Sequence, residues 1–329
     1  MRRAIELGLA LLAGSALLPV LLLPRANAAR LGRMYGLMAG AVLPEFRRVA
    51  MINVRRAFGT SVTHADARRA AWQVFAGMGE SLAEGMAFTR TLRRAGASPI
   101  LASCESDDPA LTERILADGR PKIFLTGHLG SWELATIVAG VSHGRSGAFI
   151  ARRVDNPFVE WLLRRIRFPG QFVAIEKRGA AREALKRLRG GESVAMLIDE
   201  NAGERGVFVD FFGRPASTTR LPALLTLMTG APIVLGAVVR ASGTGGQYRF
   251  RLTVFEPESF ADGDAAARIG AITQAFTARF EQWVRDDPWQ WRWIHWRWKT
   301  RPEGDVETYT RRDVAACFRA DVGSRGSSS

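Results

Sequence analysis

From Lys122 onward the chain alternates short apolar runs with helical stretches, and this rhythm restricts the fold more than any other feature of the sequence. Residues 122–126 (KIFLT), 147–151, 171–175, 194–198 and 232–240 read as buried strands bounded by turn residues. Residues 131–139, 156–166, 179–188 and 220–228 read as the helices between them. Residues 247–255 alternate apolar and polar side chains, as an edge or antiparallel strand does. Strands that alternate with helices predict an α/β fold with a mixed, mostly parallel central sheet flanked by helices. A long amphipathic helix over 265–284 follows, with Ile269, Ile272, Phe276, Phe280 and Trp283 on one face.

The part before this core is helical in pattern. Trp72, Phe75, Met78 and Leu82 recur at three- and four-residue steps, which makes an apolar stripe for core packing or for a lipid-facing collar. Residues 4–23 (AIELGLALLAGSALLPVLLL) hold a single charge, Glu6. As a helix they would extend about 30 Å, enough for a bilayer core. Two other readings compete: a cleaved signal peptide, since Arg2 and Arg3 come first and Ala26-Asn27-Ala28 could be a cleavage site, and a buried amphipathic helix. The expected organisation is an N-terminal membrane anchor helix over 1–29 and a catalytic domain over 30–318. That domain divides into a helical part (30–120) and an α/β core (121–300), with a disordered Gly/Ser-rich tail over 319–329.

Charge narrows the partners. Lys and Arg number 46 against 32 Asp and Glu, a formal net charge of +14. Such a surface attracts something anionic: nucleic acid, a lipid surface, an acidic carrier protein or a phosphorylated substrate. The Trp/Arg-rich segment from Trp289 to Lys299 reads as a packed strand or helix end, or as an interfacial anchor. No nucleic-acid-binding motif accompanies the charge. Cys104 and Cys317 give neither a disulfide framework nor metal-ligand spacing, and no second His or Cys stands at ligand spacing from His128, so no metal is expected. No Gly-x-Ser-x-Gly segment marks a serine hydrolase.

The chemistry concentrates at Thr126-Gly127-His128-Leu129-Gly130-Ser131-Trp132-Glu133, where a predicted strand ends and a helix begins. Open α/β sheets bind ligands at such strand ends. Gly127 and Gly130 suit an unusual turn and close approach by a substrate. Ser131 suits the helix cap, which would leave backbone N–H groups as oxyanion donors. His128 reads either as a general base or as a structural histidine. Glu133, five positions on, would face about 140° away on a continuous helix. With His128 in the turn, its carboxylate can fold back to orient the imidazole. An acceptor hydroxyl could then serve as the nucleophile.

Four ordered blocks resemble one family. They are GHLGSWELA (127–135), ARRVDNPFVEWLLRRIR (151–167), MLIDENAGERGVFVDFFGRPASTTRLPALLTLMTGAPIV (196–234) and PWQWRWIHWRWKTRP (288–302). Together with the N-terminal apolar segment they resemble the lipid A secondary acyltransferases of Gram-negative bacteria, which include lauroyl and myristoyl transferases. Phosphatidylinositol mannoside acyltransferases belong to the same group, and the wider glycerolipid acyltransferases share its His-x4-acid motif. The resemblance covers about residues 5–305. It departs at Leu129 and Ser131, where the family often has aromatic or polar residues, and at Glu200, where Gln is common.

The resemblance implies a glycerolipid acyltransferase-like fold and transfer of a fatty acyl group from a thioester to a hydroxyl of a lipid A precursor or related glycolipid. His128 would act as base, paired with Glu133. Arg152 and Asn156, in the matching block, become candidate substrate contacts. Asp199, at a predicted strand end, joins them, as do Arg214 and Thr218, in a turn before a helix that suits anion binding. The Ser131 N–H is a candidate oxyanion donor. No cofactor is expected beyond the co-substrate, acyl carrier protein or CoA thioester. The expected location is the inner (cytoplasmic) membrane, among its lipids, with the catalytic domain on the cytoplasmic side. A lysophospholipid or other glycolipid acyltransferase is the enzymatic alternative. An inactive membrane-binding homologue is the non-enzymatic one.

Overall fold

The structure, a computed structural model, describes residues 18–143, 147–151, 172–176, 179–241 and 247–305. Three helices open the described chain: α1 (Arg25–Val42), α2 (Pro44–Phe58) and α3 (His64–Ala95). Thr63 starts α3 with a reciprocal cap. Its hydroxyl accepts from the Asp66 N–H at 3.2 Å, and the Asp66 carboxylate accepts from the Thr63 N–H at 3.2 Å.

Strand β1 (Cys104–Ser106) and helix α4 (Pro109–Ala117) lead into the core. There β2 (Ile123–Thr126), α5 (Trp132–His143), β3 (Gly147–Ala151), β4 (Phe172–Glu176), α6 (Ala180–Arg189) and β5 (Ser193–Leu197) follow. A two-stranded antiparallel hairpin, β6 (Val207–Asp210) with β7 (Pro215–Thr218), precedes α7 (Leu221–Thr229), β8 (Ile233–Arg240), β9 (Tyr248–Phe255) and α8 (Ala265–Asp286).

The main sheet is seven-stranded in the order β1-β9-β8-β2-β5-β3-β4. From β8 to β4 every neighbouring pair is parallel, and β9 runs antiparallel to β8. The mixed, mostly parallel α/β reading therefore holds. The central strands β2 and β5 have apolar or small residues facing both layers, as strands covered on both sides require. The helix predicted over 156–166 and the tail over 319–329 lie outside the described residues. Neither β1 nor the β6–β7 hairpin was anticipated from the sequence.

Helix α1 packs antiparallel along α3 at unusually short range. A methyl group added at Gly36 would stand 2.0 Å from the Phe75 carbonyl oxygen, and one at Gly32 would stand 2.3 Å from that of Gly79. Arg90 of α3 also donates to the carbonyls of Leu21 and Leu23, just ahead of α1. The boundary drawn at residue 29 thus falls inside α1, which is joined closely to the rest of the fold. No helix among the described residues is long and apolar enough to cross a membrane. Most of the predicted anchor, residues 1–17, lies outside them.

Gly36→Leu tests this packing. The substitution gains about 0.8 kcal/mol of helix propensity, but it places a branched side chain against backbone that has no rotamer to yield, and overpacking costs about 1–3 kcal/mol. The expected result is a lower Tm in thermal unfolding followed by circular dichroism.

Candidate active site

Strands β2 and β5 are parallel neighbours, in register with Thr126 opposite Leu197. The Ile198 N–H continues the ladder to the Thr126 carbonyl at 3.0 Å. Two residues beyond each strand, the same register brings His128 beside Asp199. The Asp199 carboxylate accepts the His128 backbone N–H at 2.7 Å through Oδ2 and meets His128 Nδ1 at 2.9 Å through Oδ1. Trp291 Nε1 donates to the same Oδ2 at 2.8 Å.

Burial, the largest influence on Asp199, pushes its carboxyl toward neutrality. The charge of His128 and its hydrogen bonds, with the charge of Arg292, outweigh burial and hold the group well below the usual carboxylate range. An ionised carboxylate can only accept, so Nδ1 carries the ring hydrogen. Nε2 is then the basic nitrogen of the neutral imidazole. His128 lines a cavity of about 490 Å³ together with Trp132, Glu133, Asn201, Thr219 and Arg292.

The turn that presents His128 is held from both sides. The Gly130 N–H donates to the Gln290 carbonyl at 3.0 Å, the Arg292 N–H to the His128 carbonyl at 3.0 Å, and Ser81 Oγ to the Gly130 carbonyl at 2.7 Å. Gly130 has φ +62°, and an added Cβ would lie 2.2 Å from the Val238 carbonyl oxygen. At Gly127 an added Cβ would meet the Phe280 ring at 2.2 Å. These glycines therefore admit the protein's own backbone and core, where the sequence suggested room for a substrate.

The remaining predicted residues fall differently. Glu133 lines the same cavity as His128, but its Oε1 accepts from Trp132 Nε1 at 3.3 Å, and its side-chain stem lies over Gly85 of α3. The position at His128 Nδ1 belongs to Asp199. Asp199, expected to contact substrate, lies against the imidazole. The Ser131 N–H, expected to face an oxyanion, donates to the Val238 carbonyl at 2.7 Å.

Arg214 donates through Nε to the Arg56 carbonyl at 3.3 Å, and Thr218 receives Arg297 Nη2 while its hydroxyl donates to the Ala216 carbonyl. Neither lines the cavity. Their segment was read as a turn suited to anions, and it forms β7, paired through main-chain bonds to β6. Arg152 and Asn156 lie outside the described residues.

The sequence reading missed Trp291 and Arg292. The Trp/Arg-rich segment was treated as packing or an interfacial belt. It wraps the turn that carries His128, with Trp291, Trp293 and Trp298 fully buried. Arg292 pairs with Glu200 at 2.9 Å, and His295 Nε2 accepts the Asn201 N–H at 2.8 Å. A period-two alternation at Trp291 and Trp293 was the available signal.

A model of the family described as bacterial lipid A biosynthesis acyltransferase matches residues 2–300. The chain belongs to that family. It is 30% identical to the lipid A biosynthesis lauroyltransferase of Escherichia coli K12 over 188 residues, which cover 56% of this chain and 57% of that one. Similarity to the E. coli myristoyltransferase runs at 27% identity over 313 residues, 94% of this chain and 90% of that one. The phosphatidylinositol mannoside acyltransferase of Mycobacterium tuberculosis H37Rv is 27% identical over 187 residues, 56% of each chain. For most of these relatives the matched part spans little more than half of their length.

His295 gives the site a pH signature. Burial lowers its pKa to about 4, whereas an unfolded chain protonates histidine near about 6.5. Between those values the unfolded state binds more protons, so stability falls as pH drops from about 6.5 to about 4. His295→Gln should flatten that part of the curve, measured as urea unfolding free energy from pH 7 to pH 4. An unchanged slope would contradict a neutral His295 in the native state.

Proposed function

We propose that this protein transfers a fatty acyl group from an acyl thioester to a hydroxyl of a lipid A precursor or related glycolipid. The observation that supports this most directly is the His128–Asp199 pair beside an open cavity, in a chain of this family. Asp199 fixes the Nδ1–H tautomer and stabilises the imidazolium once it forms, the task of the carboxylate in a hydrolase triad. His128 Nε2 takes the proton of the acceptor hydroxyl. The acceptor oxygen then bonds to the thioester carbon, and the carbonyl electrons move onto its oxygen. Collapse of this intermediate breaks the C–S bond, and the leaving thiolate takes the proton back from His128. Glu133 lines the same cavity.

An apolar pocket of about 50 Å³ adjoins the catalytic cavity. It is lined by Ile115 and Leu116 of α4, Phe124 of β2, Ala139 of α5 and Phe250 of β9, and it shares Thr136 and Phe149 with the catalytic cavity. It admits part of an acyl chain whose carbonyl lies toward His128. The donor is an acyl carrier protein or CoA thioester. Both are anionic, which suits a net charge of +14. The acceptor is reached at the cytoplasmic face of the inner membrane, with residues 4–23 as anchor.

The test is an assay of detergent-purified protein with acyl carrier protein and CoA thioesters, offered lipid A precursors and lysophospholipids. Acylated lipid A precursor is the expected product. Preferred acylation of lysophospholipid would move the reading to phospholipid chemistry. His128→Ala should lower kcat by about 100- to 10,000-fold. Asp199→Asn should lower it by about 100-fold or more, because an amide presents the wrong hydrogen-bond partner to Nδ1. Near-normal Asp199→Asn activity beside an inactive Glu133→Gln protein would transfer the orienting role to Glu133.

A further inference from the structure

The acyl-transfer step creates a negative charge on the thioester oxygen, and the expected backbone donor does not face it. The N–H groups of His128, Gly130 and Ser131 are engaged by Asp199, Gln290 and Val238. A side-chain cation is nearby. Arg292 lines the cavity with His128, and its backbone N–H donates to the His128 carbonyl at 3.0 Å. Its main chain is thereby fixed to the residue bearing the base.

The guanidinium is held along one edge only. Nη2 donates to Glu200 Oε1 at 2.9 Å, while Nε is buried and has no hydrogen-bond partner. A buried donor of a charged group left unpaired is destabilising, so such atoms in a folded protein call for an explanation. A bound oxyanion supplies one. Glu200 also ties down a long, flexible side chain ahead of the reaction, and a donor already in place loses little when charge develops.

We propose that Arg292 is a catalytic residue that donates to the oxyanion of the tetrahedral intermediate. This rests on the acyl-transfer reading above. Arg292 meets charge that exists only after the acceptor oxygen has bonded to the thioester carbon, so its contribution belongs to kcat rather than to substrate affinity. Glu200 is a positioning residue for it.

The experiment measures kcat and KM for both substrates in Arg292→Gln, Arg292→Lys and Arg292→Ala protein. It also measures binding of a non-hydrolysable thioether analogue of the donor. Arg292→Gln should lose about 100- to 1000-fold in kcat, with KM and analogue affinity within about threefold of wild type. Arg292→Lys should retain part of the rate, and added guanidinium should partly restore Arg292→Ala. An unchanged kcat overturns the assignment. So does a kcat loss with no lysine retention and no guanidinium rescue, which would make Arg292 a support of the fold. A raised KM or weakened analogue binding at normal kcat also overturns it, and would make Arg292 a clamp for a phosphate of donor or acceptor. If the wild-type protein transfers no acyl group, the acyl-transfer reading fails, and this assignment fails with it.

Discussion

The contact between His128 and Asp199 is a product of strand pairing. Two residues that share no local sequence meet because β2 and β5 lie side by side, run the same way and hold their register past their hydrogen-bonded ends. A slip of one residue in a sheet sends side chains to the opposite face, and it would separate the imidazole from the carboxylate. The site therefore inherits its accuracy from main-chain bonds in the core, where Ile123, Leu125, Val194 and Met196 are buried together on one face of the sheet. Asp199 reinforces that link, because one carboxylate binds both the backbone and the ring of His128.

Much of the architecture was readable because its cause is local. The runs KIFLT, SVAML and IVLGAVVR are short, apolar and bounded by turn residues, and each became a central strand. The order of those strands is not local and could not be read. Two neighbouring strand ends in space are 71 positions apart in the chain. For the same reason His128 stood out while its partner did not. Glu133 was the carboxylate near in sequence, but its stem is drawn over Gly85, toward α3. At Gly130 the unusual turn was rightly read, but the close neighbour at 127 and 130 is the protein's own core and not a substrate, since a one-dimensional pattern shows that something comes close without showing what. The β6–β7 hairpin was hidden because Pro215, Ser217 and Thr218 resemble a loop, and its strands are held by partners from elsewhere, such as Arg297.

The tryptophans of the closing segment illustrate the same limit. Trp291 and Trp293 stand edge to face with centroids 4.4 Å apart, and Phe211 and Phe212 pack around them. This aromatic cluster gives residues 290–293 a rigid path past the His128 turn. The polar atoms on that path, Trp291 Nε1 and the Arg292 N–H, are those that touch Asp199 and His128. Composition alone suggested a surface belt. Burial converts the same residues into a brace for the site.

Arg90 joins the leading segment to α3 by gripping the carbonyls of Leu21 and Leu23. On the same helix, five positions earlier and about 7.5 Å along the axis, Gly85 supports the stem of Glu133. Residues 21–23 are consequently fastened to the same helical strut that backs the cavity wall. A pull on that leading segment would arrive at the wall as a tilt of the whole strut.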